Sequence, residues 1–378
     1  MSANQPAVIG PDGVARPYIG GQALLEGVMM RSPHAFSAVV RRRDGSLVVR
    51  ERPMLDVRRG KLAWPIVRGV VALVEALKLG SQALRFSAEI FEQDLEREEA
   101  HARAAKSAAA SAPNLLTLVS LPVVHLMTSE PELATSRATG DKGRGWLGFV
   151  SIAFAIALFV ALPQAFAAGI SGVFGLELNV REPTFQLLTA LGKLSILIGY
   201  MLLIRRIPEI YRVFQYHGAE HKSIYTYEAG EALTVENARR RTTLHPRCGT
   251  TFIVMVALVS ILVFSALGPF LPELGLGKLG DNVLFFLLKL PFLPLVAAIT
   301  FELQRVLARH CSTGPLSALL WPGFLVQKIT TIEPDDAQLE VALSALLVTL
   351  RVERGEAAAR AADETFESYG ALAQPTAA

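Results

Sequence analysis

The sequence predicts a mainly α-helical, polytopic membrane protein with about four transmembrane helices, joined to a small N-terminal cytoplasmic α+β region containing a β-hairpin. Three observations carry this expectation. Apolar residues make up 51% of the 378, and they gather into four blocks of about 20 residues, the length that a hydrocarbon core about 30 Å thick requires. Basic residues concentrate in the segments on one side of those blocks. Near the N-terminus, apolar and β-branched runs flank Asp44-Gly45, a pair suited to a tight hairpin turn.

Residues 1–88 form the predicted N-terminal cytoplasmic region. The first 17 residues lack a basic start followed by an apolar core, so no secretory signal peptide is expected. Gly20–Arg31 carries a glycine pair with Glu26, and reads as either a structural turn or a binding loop. It lacks the glycine spacings of a nucleotide site. Ala35–Pro53 is the hairpin. Trp64–Leu84 is apolar but interrupted by Arg68, Glu75 and Lys78. It reads as an amphipathic helix, lying on the membrane surface or forming the core of a small domain. Residues 89–146 follow as a polar connector: Glu89–Ala110 is helical in composition, and Ser111–Gly145 is a linker. Within that linker, Leu115–Met127 is too short to span and is expected at the interface or partly buried.

The membrane domain occupies residues 147–310, with blocks at Leu147–Ile170, Phe185–Ile204, Thr251–Leu271 and Val283–Leu303. Inside them lie Lys193, Lys289 and, at the end, Glu302. Lys193 is deep enough to be a functional candidate by default, and Lys289 is expected to snorkel outward. Residues 205–250 contain Arg205, Arg206, Arg212, Lys222, Arg239, Arg240, Arg241 and Arg247. The other two inter-block connections hold only Arg181 and Lys278. The positive-inside rule makes the basic loop cytoplasmic and, with four spans, puts both termini in the cytoplasm of a plasma (inner) membrane protein. Cys248 and Cys311 then face a reducing compartment and are expected as free thiols. The basic runs lack interleaved aromatics, so phospholipid is the expected partner and nucleic acid is not.

Residues 311–353 are expected to hold a cytoplasmic amphipathic helix, Asp335–Val352, started after Thr330-Thr331 and Pro334. Residues 354–378, Ala-rich and charged, are expected to be disordered.

The sharpest chemical signal is His217-Gly-Ala-Glu220-His221 in the basic loop. On a helix these three side chains fall at about 0°, −60° and +40°, so they share a face. Two neutral imidazoles can then bind one metal ion while the carboxylate handles a proton, the arrangement of inverted zinc-protease motifs. His245-Pro-Arg-Cys248 follows in the same loop and can supply the remaining ligands. Glu26 and Glu302 are weaker ligand candidates. The competing readings are imidazoles lining the membrane interface, an inert buried Cys248, and a metal-free His/Cys pair.

At these motifs the chain resembles the YqhQ-like family of bacterial membrane proteins, described as predicted metal-dependent enzymes of unknown function. The matching segments are GGQALLEGVMMR (Gly20–Arg31), WPIVRGVVALVE (Trp64–Glu75), HGAEHK (His217–Lys222), HPRCGTT (His245–Thr251) and PGFLVQKITTIEPDD (Pro322–Asp336). The resemblance implies a metal site at His217, Glu220, His221, His245 and Cys248. The functional expectation is a metal-dependent hydrolase at the inner leaflet, with a divalent ion, zinc by its ligand chemistry, held by His217, His221 and His245 or Cys248, and with Glu220 as catalytic base. The alternatives are a scaffold or assembly factor with a structural metal, working with a membrane-protein partner or as a homo-oligomer, and more remotely a transporter.

Overall fold

The computed structural model describes residues 7–54, 64–105, 157–176, 182–267, 277–310, 320–360 and 362–373, with single residues 154, 178, 270 and 318 besides. The predicted linker Ser111–Gly145, with Leu115–Met127 inside it, and Cys311 lie outside these residues.

The N-terminal region builds more than one hairpin. β1 (Ala7–Ile9) and β2 (Ala15–Pro17) pair with each other. β3 (Gly20–Leu24), β4 (Gly27–Arg31), β5 (Ala35–Arg41) and β6 (Leu47–Pro53) then form an antiparallel meander. β5 and β6 are the predicted hairpin, with Val40 opposite Val48 and Gly45 at a φ of 92° in the turn. Gly20–Arg31 is a second hairpin, in which Leu24 faces Gly27 and the two-residue turn between them puts Glu26 at a φ of 51°.

Both faces of this sheet are covered, which is why its strands read as almost unbroken apolar runs. On one face lie α1 (Pro65–Ala105) and its side chains Ala83, Phe86 and Ile90, packed on Leu24, Met29, Phe36, Ala38, Val40 and Val48. On the other lie α4 (Pro208–Glu228) and α10 (Asp336–Glu353), packed on Val28, Met30, Val39, Leu47 and Val49. α10 starts from a capping box, in which Asp335 accepts from the Gln338 N–H and the Gln338 side chain accepts from the Asp335 N–H. It stands where the amphipathic helix Asp335–Val352 was expected, and it is buried against the sheet. Leu339, Leu343, Leu346 and Leu350 are buried, each worth about 1.5–3 kcal/mol. Thr349 of this helix finds a partner inside: Ser37 Oγ of β5 donates to the Ala345 carbonyl and meets Thr349 Oγ1 at 2.7 Å.

The tail also departs from expectation. β7 (Glu364–Phe366) pairs with β6 at the sheet edge, and α11 (Tyr369–Ala373) buries Leu372 in the same core. Composition alone hid this, because a three-residue strand needs only one good edge to pair with.

Among the described residues, three helices are long and apolar enough to cross a membrane: α3 (Pro183–Ile204), α6 (Gly249–Leu267) and the stretch Val283–Leu307. The last runs from α7 (Gly277–Lys289) through a 3-10 turn, Leu290–Phe292, into α8 (Leu293–His310). Pro291 and Pro294 explain the break, since neither has an N–H to give the helix. Of the block expected at Leu147–Ile170, the described part is a π-helical turn, Ala157–Ala161, leading into α2 (Leu162–Val173). That part alone does not establish a fourth crossing. Lys289 Nζ donates to Gln186 Oε1 at 2.9 Å, near the start of α3, and sits over the rings of Phe264 and Phe285. An amide and two aromatic faces solvate the ammonium group there.

The expected basic loop 205–250 is mostly helix. α4 starts only three residues after α3 ends. α5 (Val235–Arg239), capped by Thr234, follows before the chain enters α6. The short helix α9 (Trp321–Thr330) packs against α6 and α3.

Candidate metal centre

The centre forms where α4, the segment before α6 and the end of α9 meet. α4 approaches the segment after α9 closely, because Gly218 leaves room for the Ile332 carbonyl. Any side chain at 218 would strike backbone.

Two histidines one turn apart on α4 then turn the same way. His217 Nδ1 donates to the Thr330 carbonyl at 2.9 Å, and His221 Nδ1 donates to the Thr243 carbonyl. A carbonyl can only accept, so each Nδ1 carries the proton and each Nε2 is left as a lone pair. Cys248 Sγ lies 3.0 Å from His217 Nε2. The ligand atoms of His217, His221 and Cys248 all lie within 4.8 Å of one another. Carbonyls behind the imidazoles and convergent lone pairs in front are the supporting arrangement of metal-binding histidines, so the residues present fit a metal ion.

His245 is close but turned aside. Its ring lies 5.4 Å from that of His221, and Tyr225 abuts it at 4.7 Å. Its Nδ1 accepts from the Arg247 N–H at 3.3 Å, and its Nε2 is 3.7 Å from Glu228, which also pairs with Arg247. Glu220 is buried on α4 against β3. A Cβ on Gly21 would be 2.7 Å from its Oε1, so the glycine makes room for the carboxyl. Glu26 and Glu302 are engaged elsewhere. Glu26 pairs with Arg212 and accepts from the Tyr216 hydroxyl at 3.2 Å, while Glu302 pairs with Arg68.

Burial dominates the electrostatics. It pushes the Glu220 carboxyl up to about 8, with His217 opposing and Cys248 adding to the shift. It pulls His221 down to about 4 and His245 down to about 3, keeping both neutral at physiological pH. For Cys248, burial acts upward, but His221 and Thr250 outweigh it and leave the thiol below its ordinary value.

Sequence reasoning missed the groups that hold the Cys248 segment. Gln327 is fully buried on α9, accepts from the His245 N–H at 2.8 Å, and donates to the His245 carbonyl at 2.7 Å and Thr251 Oγ1 at 2.6 Å. Gln304 on α8 donates to the Cys248 carbonyl at 3.1 Å. The available signal was a lone glutamine inside each of two apolar helices.

Comparison with known proteins agrees with the motifs. Residues 64–352 match the family described as Protein of unknown function (DUF1385). Uncharacterized protein YqhQ of Bacillus subtilis (strain 168) is 33% identical over 348 residues, covering 89% of this chain and 93% of that protein. No solved structure matches.

Proposed function

We propose, from the premise that the chain belongs to the DUF1385 family of proteins of unknown function, that it is a membrane enzyme with a cytoplasmic, metal-dependent hydrolytic site. The carrying observation is the pair of carbonyl-held imidazoles on α4, whose free Nε2 atoms converge with Cys248 Sγ. His217, His221 and Cys248 would hold a divalent ion. An N/N/S donor set suits zinc, and three protein ligands leave a position for substrate or water. When bound, such an ion supplies Lewis acidity and lowers the pKa of a water molecule. A cation held beside Glu220 would favour its ionised form, and that carboxylate, one residue from His221 and with room made by Gly21, would take a proton from the attacking water and return it to the leaving group. The partial exposure of His217 gives a substrate access.

The same reading takes four spans with the sheet in the cytoplasm. The sheet, α4 and α10 share one core, so they lie on one side of the membrane. α1 ends at the sheet and α4 begins there, so an even number of crossings must separate them. α3 would be one, and the apolar block that the sequence places at Leu147–Ile170 would be the other. The arginines of residues 205–250 favour the cytoplasm for that side.

A second reading, a scaffold with a closed structural site, is favoured by the nearness of His245 to His221. If His245 turned from Glu228 it would complete a four-ligand set.

Metal analysis of the purified protein separates these. About one ion per chain is expected in the wild type and none in His217→Ala/His221→Ala; no stoichiometric metal in the wild type overturns both readings. His245→Ala keeps its metal if the site is open, and loses it if the site is closed. Spectroscopy of the cobalt-substituted protein should detect an exchangeable water, whose absence refutes the hydrolytic reading.

A further inference from the structure

The outward face of α1 changes character partway along. Trp64, Val67, Val74 and Leu77 are exposed by 64%, 39%, 59% and 65%. Beyond them the same face carries Lys78, Arg85, Glu89 and Glu92, all exposed. At about 100° per residue these residues share one side of the helix. Large apolar side chains along some 20 Å of helix, ending abruptly at a cation, are not the surface of a helix in water.

The other face of that first stretch packs on a membrane span. Gly69 lies against α8 so closely that a Cβ would be 3.0 Å from Ala298 Cα. The two helices run the same way. α1 proceeds to the sheet, where Gly80 meets Gln22, and α8 proceeds to the metal centre, where Gln304 meets the Cys248 carbonyl. Eight residues beyond the Gly69–Ala298 contact, α1 reaches Leu77 and α8 reaches Val306, which is 52% exposed. The exposed apolar surface of α1 therefore continues that of α8, and both end at one level, beside Lys78 and Arg305.

The charges in this stretch are neutralised by the protein. Arg68 makes a two-pronged pair with Glu302 at 2.7 and 2.5 Å, and Glu75 pairs with Arg31 at 3.3 Å. Charged groups at membrane depth are tolerated when paired in this way.

We propose that Trp64–Leu77 is a partly inserted membrane helix, its outward stripe solvated by the acyl chains of the leaflet that surrounds the C-terminal half of α8. This rests on the reading of Val283–Leu307 as a span. Fourteen residues rise about 21 Å, short of the roughly 30 Å needed to cross, so the helix enters the leaflet without traversing it. The sheet and the metal centre are thereby anchored at a fixed height above the bilayer.

The test uses fluorescence of the full chain in proteoliposomes made with phospholipids brominated on their acyl chains. Trp146→Phe/Trp321→Phe leaves Trp64 as the single tryptophan. Two companions, each with all native tryptophans replaced by Phe, carry Leu293→Trp on α8 or Arg85→Trp on the polar half of α1. Trp64 should lose about half or more of its emission to brominated lipid and resist aqueous acrylamide, as a side chain within the hydrocarbon core does. Arg85→Trp should do the reverse. If Leu293→Trp is quenched by bromine but Trp64 answers only to acrylamide, the insertion of α1 is refuted while the span stands. If Leu293→Trp is not quenched either, the span reading fails and takes the proposal with it. A Trp64 shielded from both quenchers means that a second copy covers the stripe, which also refutes the proposal.

Discussion

Gln327→Leu tests the architecture of the metal centre without touching a proposed ligand. The wild-type amide satisfies the His245 N–H and carbonyl and the Thr251 hydroxyl, all buried, at 2.6 to 2.8 Å. Leucine fills similar space but leaves the His245 N–H without its partner, while the His245 carbonyl keeps only the Cys248 N–H at 3.4 Å. An orphaned buried polar group costs about 1–3 kcal/mol, which is the loss expected here. The freed segment carries Cys248, so metal affinity should fall about 10–100-fold, the usual effect of removing an outer support of a metal site. Gln327→Glu keeps the acceptor for the His245 N–H but loses both donors, and should be intermediate in stability. The assays are detergent-solubilised thermal unfolding and competition with a chelator of known affinity. A Gln327→Leu protein with wild-type stability and wild-type chelator resistance would refute the view that α9 holds the Cys248 segment in place.

The other expectations follow from single contacts. Gly21→Ala must displace the Glu220 carboxyl from a 2.7 Å overlap, costing about 1–3 kcal/mol of stability; metal stoichiometry should be unchanged, and loss of metal would show that Glu220 is itself a ligand. Glu26→Gln breaks the pair with Arg212 and should lower stability by about 1 kcal/mol with metal content intact, checked by elemental analysis. Leu372→Ala removes a buried side chain at a cost of about 2–4 kcal/mol, seen in thermal unfolding; no change would refute docking of the tail.

What the sequence made legible follows from interaction range. The apolar runs at Phe185–Ile204, Thr251–Leu271 and Val283–Leu303, the Asp44-Gly45 turn and the helix start at Asp335 follow local rules, and each appears where its residues stand. The pair His217/His221 was legible because one helical turn brings both to one face. Long-range partners were not. Nothing near Gln327 announces that its amide meets His245, and nothing in residues 364–366 announces that β6 offers an open edge. Lys289 illustrates the same limit. Its direction depends on whether a neighbouring helix presents an amide, and Gln186 is about a hundred residues away in sequence. His245 was grouped with Cys248 by spacing, yet Arg247 and Glu228 turn its ring aside.

The centre joins two parts of the molecule that differ in what holds them. α4, with His217 and His221, belongs to the sheet: Arg212 is tied to Glu26, Lys222 to Glu333, and Gly218 lies on Ile332. Cys248 belongs to the bundle, since it immediately precedes α6 and its carbonyl is held by Gln304 of α8. An ion on His217, His221 and Cys248 would thus bond both parts at once. Its loss would sever a link between them while leaving each core intact. Chelation should therefore raise hydrogen exchange in residues 243–250 and at the end of α9 before it affects α10, whose protection comes from the sheet core. Uniform loss of protection on chelation would mean that the ion serves global folding, the behaviour of a structural site.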